Sequence, residues 1–383
     1  MGMHLAVNGY FWNRPFNGSG QYTRRLLGQL ATMVSDLRIS LIVPLEPGEA
    51  APADVPDGIN LITVPIRTGY LGKLLFEQRG FPRAVRDSGA EIAHVPYWGS
   101  PLAAPVPVVV TVHDVTTLLV REYRRKASAR LYTSLVSASA RGAAHIITDS
   151  FYSKLAIRDH LNIPEEQITA IYLAAGPEFS SKSERLLDMA VMRKYDLPDF
   201  FTLYLGGYEI HKNVTTLIHA YTYVGPAMGK DHPLLLAGRR PQPGANYPDY
   251  EAYIADNGIG DYVRWLGFID EEDKPALYRQ AMTVAFPSKH EGFGLGPLEA
   301  MACGTPVVTT NASSIPEVVG DAAFTVNPDD SRDMAGAIIA TLIQDELRVD
   351  MRRKGLEQAR QFSWEKTAAE TLTVYDQVLR GTP

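Results

Sequence analysis

Short apolar runs rich in β-branched residues alternate with amphipathic stretches along the whole chain. The first two runs lie at 4–8 and 39–43, and a helical pattern at 21–33 separates them. Strands that alternate with helices in this way predict a parallel sheet covered by helices on both faces. Further strands are predicted at 60–64, 92–95, 106–113, 145–149 and 168–172, and further helices at 73–86, 127–141 and 152–160.

The same alternation begins again in the second half. The pattern weakens between 174 and 197, where Ala-Ala-Gly-Pro and Leu-Pro-Asp-Phe bracket a charged stretch that is compatible with a helix. Strands are then predicted at 201–205, 233–237, 263–265, 283–286, 307–310 and 323–326. We therefore predict a first domain at 1–178, a linker at 179–199 and a second doubly wound domain at 200–363.

Composition restricts the class of protein. The 383 residues are 45% hydrophobic and 21% charged, which suits two compact domains and not a disordered chain. Lys and Arg total 37 against 43 for Asp and Glu, so nucleic acid is not an expected partner. The single cysteine cannot form an intramolecular disulfide, and no apolar run approaches the roughly 20 residues of a membrane span. A cytoplasmic location is expected.

A local basic run is the exception to the acidic balance. It could face phosphate headgroups at the inner membrane surface or an anionic acceptor, or it could be a solvated helix face. The run consists of Arg121, Arg124, Arg125, Lys126 and Arg130.

Residues 283–310 carry the most informative motif, which reads as strand, glycine-rich turn, short helix and strand. Pro297 suits the first helical position, and Gly304 suits the left-handed residue that ends a helix. The amides of residues 294–296 and the helix N-terminus then form an anion site that fits a pyrophosphate. Glu291 and Glu299 flank this turn, and their carboxylates would accept hydrogen bonds from a hexose and a ribose. Alternatively, Glu299 only complements the helix dipole and the glycines only make a loop.

The spacing of the two acids supports the functional alternative. Glu291-Gly-Phe-Gly-Leu-Gly-Pro-Leu-Glu299, followed by Gly304-Thr-Pro-Val-Val, resembles the paired-glutamate signature of family-four glycosyltransferases. The resemblance implies an α/β protein of the GT-B class, with two Rossmann-like doubly wound parallel-sheet domains facing a central cleft. It also implies that the last helical stretch, 364–383, returns to the first domain.

Residues 204–213, after the first strand of the second half, read Tyr-Leu-Gly-Gly-Tyr-Glu-Ile-His-Lys-Asn. Lys212 could place its ammonium on a diphosphate and neutralise the charge of the leaving group. Relatives often carry Arg at the position of His211, and Arg239 or Arg240 could compensate for that difference. A lysine that follows a strand can also be merely solvated.

The first half contributes further candidates. His113 ends a strand, where similar enzymes place a histidine against the donor sugar, although a strand-end histidine can also be structural. The loop at 17–23 resembles a glycine-rich loop that lies against the donor phosphates. Residues 266–270 resemble the stretch that holds the nucleotide base. The predicted catalytic residues are His113, Lys212 and Glu291. The predicted donor-binding residues are Gly18, Gly20, Gly207, His211, Arg239, Phe268, Gly292, Phe293, Gly294, Leu295 and Glu299.

The resemblance implies hexose transfer with retention from a nucleotide-diphosphate sugar to a hydroxyl of a glycan or lipid-linked acceptor. GDP-mannose is the favoured donor and a UDP-sugar the next. No metal and no separate cofactor is expected, because no Asp-x-Asp follows a strand. A same-face attack and a double displacement both stay open, as does the oligomeric state.

Three other classes remain as alternatives: a nucleotide-sugar epimerase or inverting transferase of the same fold, a non-catalytic nucleotide-sugar-binding protein, and an NAD-dependent oxidoreductase. The last would need a complete dinucleotide fingerprint, and the chain lacks one because position 23 is Thr.

Overall fold

The computed structural model describes residues 2–14, 17–125 and 127–381. The chain folds into two compact units. The first comprises Met1–Leu119, Arg124–Tyr172 and Trp364–Pro383, and the second comprises Val120–Tyr123 and Leu173–Ser363. Lys126 of the basic run lies outside the described residues.

The first unit is built on parallel strands that are wrapped by helices. Its elements are β1 (His4–Asn8), α1 (Gly18–Met33), β2 (Arg38–Leu45), β3 (Ile59–Pro65), α2 (Gly69–Leu75), α3 (Phe81–Ser88), β4 (Ile92–Val95), β5 (Val108–Thr111), α4 (Thr116–Leu119), α5 (Ala127–Arg141), β6 (His145–Thr148), α6 (Phe151–Leu161), β7 (Ile168–Ala170) and α15 (Trp364–Arg380).

The seven strands of this unit are all parallel and follow the order β3-β2-β1-β4-β5-β6-β7. Strands β1, β4, β5 and β6 are buried at every position, which explains their nearly continuous apolar sequences. The chain starts at β1, winds outward to β3 and returns to β4 on the other side of β1. The point between β1 and β4 is therefore a topological switch point, where such sheets bind ligands at the carboxyl ends of their strands.

The second unit repeats this plan. Its elements are α7 (Arg185–Lys194), β8 (Thr202–Leu205), α8 (Val214–Met228), β9 (Leu234–Ala237), α9 (Tyr250–Asp256), β10 (Val263–Gly267), α10 (Lys274–Gln280), β11 (Thr283–Phe286), α11 (Leu295–Ala302), β12 (Val307–Thr310), α12 (Ile315–Val319), β13 (Phe324–Val326), α13 (Ser331–Ile343) and α14 (Asp345–Ala359). Its six parallel strands follow the order β10-β9-β8-β11-β12-β13, so the switch point lies between β8 and β11.

Three local predictions were wrong. The pattern at 73–86 is not one helix, because a turn of π-helix at Phe76–Gly80 separates α2 from α3. Helix α1 begins at Gly18, so two of the predicted loop glycines lie in its first turn. Pro297 is the third residue of α11 and not the first, since the helix begins at Leu295. A proline is still tolerated there, because amides in the first turn have no partner inside the helix.

The last helix, α15, packs in the first unit against α1 and β6. The hydroxyl of Tyr375 lies 2.6 Å from Nδ1 of His94, and the Thr367 hydroxyl donates to the carbonyl of Tyr172. The first contact reaches the buried strand β4, and the second reaches the segment that follows β7. Within the described residues, no helix is both long enough and apolar enough to cross a bilayer.

Candidate active site

Lys212 and Glu291 follow the two strands that border the switch point of the second unit. Lys212 ends a short helical turn after β8, and Glu291 lies in the loop after β11. Because β8 and β11 are paired neighbours, their carboxyl ends bring the two loops together. Nζ of Lys212 lies 2.8 Å from Oε1 and 2.9 Å from Oε2 of Glu291. The two side chains, predicted from separate motifs, form one ion pair.

This ion pair is partly shielded from solvent. The side chains are 25% exposed for Lys212 and 20% exposed for Glu291. Ser288 also donates to Oε1 of Glu291, at 2.7 Å. Burial alone would raise the pKa of Glu291, but the Lys212 charge and the two hydrogen-bond donors outweigh it and lower that pKa. Glu291 is therefore a carboxylate at neutral pH.

Two serine hydroxyls fix the backbone on either side of this carboxylate. The amide of Glu291 donates to the Ser313 hydroxyl at 3.0 Å. The Ser314 hydroxyl donates to the carbonyls of Glu291 and Phe293, at 2.9 and 2.7 Å. Both serines belong to the segment between β12 and α12, so this neighbouring strand-to-helix connection fixes the position of the glycine-rich loop.

The loop leads directly into α11. Gly294 precedes the helix with φ 122°, a conformation that strongly favours glycine. The first helical hydrogen bond runs from the Leu298 amide to the Gly294 carbonyl, so the helix itself provides no partner for the amides of Leu295 and Gly296. A Cβ at Gly296 would lie 2.6 Å from the Phe286 ring, which explains why this position is glycine. The helix start keeps the features of an anion site.

The second glutamate of the motif has a different environment. Glu299 is the fifth residue of α11, and Tyr278 donates to its Oε2 at 3.3 Å. Burial raises the pKa of Glu299 to about 7, because Lys274 and the Tyr278 hydrogen bond offset it only in part and Glu271 adds to it. The carboxyl group can therefore both donate and accept hydrogen bonds near neutral pH, which suits a diol.

Asn213 holds the loop that carries Lys212. It adopts φ 56°, and its side-chain amide donates to the carbonyls of Pro287 and Pro328, at 3.0 and 2.8 Å. Its Oδ1 accepts from the Thr216 hydroxyl. One side chain thus joins the ends of three strands and sets the position of the preceding lysine.

Sequence reasoning missed a partner of His211. The hydroxyl of Tyr123 lies 2.5 Å from Nδ1 of His211, and the two rings meet edge to face at 5.8 Å. If the hydroxyl donates, Nε2 carries the proton and is the hydrogen-bond donor of the ring. Tyr123 belongs to the short segment that groups with the second unit. A gap of 88 positions separates the pair, and no local pattern marks it.

The other predicted donor-binding residues of this unit lie at strand ends. Arg239 is exposed after β9, and Phe268 is 47% exposed after β10. The aromatic ring of Phe293 is buried against Phe362, which leaves only its backbone for a ligand. A Cβ at Gly207 would lie 2.2 Å from Oε2 of Glu209, so this glycine allows a close approach. These assignments stay predictions.

Arg240 is already engaged. It forms an ion pair with Glu251 and lies over the Trp265 ring at 5.3 Å. Gly292 and Leu295 are half-buried in the loop and at the start of α11. Among the residues that the structure describes, no group of three or more His, Cys, Asp or Glu side chains could hold a metal ion.

The first unit orients His113 with a carboxylate. Nδ1 of His113 lies 2.7 Å from Oδ2 of Asp149, and the Tyr22 ring packs edge to face at 4.9 Å. Burial lowers the pKa of His113, but Asp149, Asp114 and the Pro96 carbonyl outweigh it, so the pKa is raised. The cap of α6 is Ser150, whose hydroxyl accepts from the Ser153 amide, and the preceding Asp149 contacts the histidine.

Gly18 and Gly20 occupy the first turn of α1, which Asn17 caps by accepting from the Ser19 amide. A Cβ at Gly20 would lie 2.6 Å from the Arg14 carbonyl oxygen, so this glycine lets the helix approach the loop after β1. Gly18 has open space around it. The structure explains Gly20 by packing, and phosphate binding by either glycine stays a prediction.

Two family models match nearly the whole chain. Residues 192–358 match the glycosyl transferases group 1, and residues 16–178 match glycosyltransferase family 4. The fold and the placement of the paired glutamates agree with these matches, and the chain belongs to the group 1 glycosyltransferases. It is therefore a glycosyltransferase.

Among curated proteins, the chain is similar to O-antigen chain mannosyltransferase B of Escherichia coli. The two are 34% identical over 294 residues, which cover 76% of each chain. The chain is also 31% identical over 285 residues to the serotype-specific mannosyltransferase WbdA of Escherichia coli. That match covers 72% of this chain but only 34% of WbdA, so the chain spans about one third of that larger relative.

Solved structures agree on the fold. Sucrose-phosphate synthase of Thermosynechococcus elongatus superimposes with a TM-score of 0.79 at 20% identity, covering 99% of this chain and all of that chain. Anabaena HepE, solved in complex with UDP, has a TM-score of 0.71 at 18% identity, covering 98% of this chain and all of that chain. The two doubly wound sheets are thus those of a GT-B protein, as predicted.

Proposed function

We propose that the chain is a retaining, metal-independent mannosyltransferase that uses GDP-mannose and extends a glycan or lipid-linked acceptor. The observation that carries this proposal is the Lys212–Glu291 ion pair at the carboxyl ends of the two switch-point strands. A cation and a carboxylate held side by side can serve the two halves of a sugar nucleotide, the diphosphate and the hexose.

Lys212 and the amides at the start of α11 would bind the diphosphate. As the glycosidic bond breaks, negative charge grows on the leaving phosphate, and these groups stabilise it without a metal. Lys212 then exchanges its partner: Glu291 holds the ammonium in the free enzyme, and a phosphate oxygen takes it when the donor binds. Glu291 becomes available to accept a hydrogen bond from the hexose, and Glu299 accepts one from the ribose.

Mannose is proposed because both relatives described above are named mannosyltransferases. The UDP complex of the structural neighbour supports a sugar nucleotide as the donor class and keeps a UDP-sugar as the second candidate. Retention is proposed on family membership alone, and its test is the anomeric configuration of the product.

His113 is proposed to bind a hydroxyl of a substrate sugar. Its imidazole is 22% exposed, while the Asp149 carboxylate behind it is almost fully buried. Nδ1 faces Asp149, and Nε2 lies 3.3 Å from the Pro96 carbonyl oxygen, so Nε2 would donate to the substrate hydroxyl in place of that carbonyl. The raised pKa of His113 favours the protonated ring, in which both nitrogens donate.

Peripheral membrane contact is proposed for the first unit. Leu71 on α2 and Leu131 on α5 are both exposed, at 57% and 74%. The two helices meet through an edge-to-face pair of Tyr70 and Tyr132, and the exposed Arg130 lies beside Leu131. Such a mixture of apolar and basic side chains suits an anionic bilayer surface. Sedimentation with phosphatidylglycerol vesicles should be lost in Leu71→Asp/Leu131→Asp.

The donor is tested by thermal shift with GDP-, UDP-, ADP- and dTDP-sugars, followed by release of nucleoside diphosphate. We expect GDP-mannose to give the largest stabilisation and the fastest release. Lys212→Ala should lower transfer at least ~100-fold, as expected for loss of a transition-state contact. The exposed Lys289, which pairs with Asp329, provides the matched control Lys289→Ala. Wild-type rates in Lys212→Ala, or donor binding without any turnover, would refute the proposal.

A further inference from the structure

A second group of charged and aromatic side chains lies at the switch point of the first unit, whereas Lys212 and Glu291 belong to the second unit. Tyr10 and Phe11 follow β1, and Tyr97 follows β4. These are the two strands between which the winding direction changes. In open parallel sheets this is the place where ligands bind. Neither the paired-glutamate motif nor the ion pair described above involves these residues.

The centre of the group is the ammonium of Lys73, which α2 carries. Nζ lies between 5.1 and 5.5 Å from the centroids of four aromatic rings, those of Tyr10, Phe11, Tyr97 and Tyr132. It donates one hydrogen bond, of 2.9 Å, to the Tyr132 hydroxyl. The Lys73 side chain is 20% exposed, so solvent, and hence a ligand, can reach it. Tyr10 and Phe11 are also partly exposed.

Glu77 lies behind this ammonium. Its side chain is 1% exposed, and Oε1 is 3.6 Å from Nζ of Lys73. Within the described residues, Oε1 accepts no hydrogen bond of normal geometry, although the Tyr97 hydroxyl and the Lys73 ammonium both face the carboxyl group. Burial raises the pKa of Glu77 to about 7 and lowers the pKa of Lys73.

Two backbone features place Glu77 there. It is the second residue of the π-helical turn, and such turns are frequent at functional sites. Gly99, in the loop after β4, lies so close that a Cβ would be 2.7 Å from Oε1 of Glu77 and 2.3 Å from the Tyr97 ring. A side chain at position 99 would displace the carboxyl group. The glycine at position 99 thus provides the space that the Glu77 carboxyl group occupies, although Oε1 accepts no hydrogen bond of normal geometry there.

Partly exposed aromatic rings beside a hydrogen-bond donor have the chemistry of a sugar site. A ring can cover the apolar face of a pyranose, and an ammonium can donate to two neighbouring hydroxyls. We propose that Tyr10, Phe11 and Lys73 form a hexopyranose subsite of the first unit, with Glu77 as the positioning residue that holds the ammonium. This subsite receives the terminal sugar of the acceptor, an assignment that rests on the proposed function.

The test is saturation-transfer difference NMR on the full chain, with methyl α-D-mannopyranoside as the probe and no donor present. The wild type should transfer saturation to the ring protons of the sugar. Lys73→Met, which keeps the stem but removes the charge, should weaken binding about tenfold, as for the loss of a hydrogen bond to a charged group. Lys73→Arg should restore part of it. Lys366→Met, on an exposed face of α15, is the matched control and should bind like the wild type.

Glu77 is tested separately because it does not contact the sugar. Glu77→Gln should leave the stacking contacts in place. The affinity of the wild type for the glycoside should change with pH near neutrality, because Glu77 titrates there, and the affinity of Glu77→Gln should not. Equal binding in the wild type and Lys73→Met, or no binding by the wild type at millimolar sugar, would overturn the subsite. Lys212→Ala should bind the glycoside normally, so failure of the subsite and failure of the donor proposal give different results.

Discussion

Replacing Glu291 by Gln should affect nucleotide binding and transfer in opposite directions. In the free protein, both carboxylate oxygens of Glu291 contact the Lys212 ammonium, at 2.8 and 2.9 Å. A phosphate oxygen bound to the same ammonium would lie about 5 Å from the carboxylate, since each charged hydrogen bond needs about 2.8 Å. Two like charges at that distance repel by about 3 kcal/mol at an effective dielectric constant of about 20.

Solvent reduces this repulsion, because both side chains are about one-fifth to one-quarter exposed. We take about 1 kcal/mol as the remaining effect, which corresponds to about fivefold in affinity. Glu291→Gln should therefore bind GDP about fivefold more tightly than the wild type. Transfer should nevertheless fall by about 100-fold, because the hexose loses a contact that is made in the transition state.

Isothermal titration with GDP and a coupled assay of GDP release measure the two effects. The gain in affinity should shrink at high salt, as expected for a partly exposed charge. Asp329→Asn is the matched control. It also removes an ion-paired carboxylate from the second unit, but Asp329 and its partner Lys289 are both exposed. If Glu291→Gln binds GDP no more tightly than the wild type, the exchange of partners at Lys212 is wrong.

Four further variants test single side chains. Tyr123→Phe should raise KM for the donor more than it lowers kcat, because His211 loses the hydroxyl at Nδ1. His211→Arg in the same background should reverse this rise in KM. An unchanged KM in Tyr123→Phe would contradict the role of Tyr123. Asp149→Asn should lower the pKa of His113, measured by imidazole NMR, because burial then acts without the opposing charge of Asp149. An unchanged pKa would mean that Asp149 does not stabilise the protonated ring. Glu299 binds a proton more readily when folded, with a pKa of about 7, so its contribution to stability is lost as pH rises towards that value. The melting temperature of Glu299→Gln should accordingly rise relative to the wild type between about pH 5 and about pH 8, and a constant difference would argue against the shift.

Strands were the easiest elements to predict from the sequence. The predictions at His4–Asn8 and Thr283–Phe286 match the observed strands at both ends, because strands buried on both faces need continuous apolar runs. The helix predicted at 73–86 failed for a physical reason. The apolar period continues through the extra residue of the π-helical turn at Phe76–Gly80, and periodicity alone cannot detect it.

The candidate site was predicted only as far as local motifs reach. Lys212 and Glu291 were each found from the strand that precedes them, but their direct contact depends on the pairing of β8 with β11. Asp149 and Tyr123 were not assigned as partners of the two histidines, since they lie 36 and 88 positions away.

The position of α15 limits how the gene can be divided. A fragment that stops at Ser363 would retain every strand of the first unit but would lose the helix that covers His94 and Tyr22. An N-terminal half that folds alone therefore has to be built as a discontinuous fusion of residues 2–172 with 364–381. Chimeras that exchange the first unit between related transferases should transplant the C-terminal helix together with the N-terminal sequence, since the two ends of the chain belong to one compact unit.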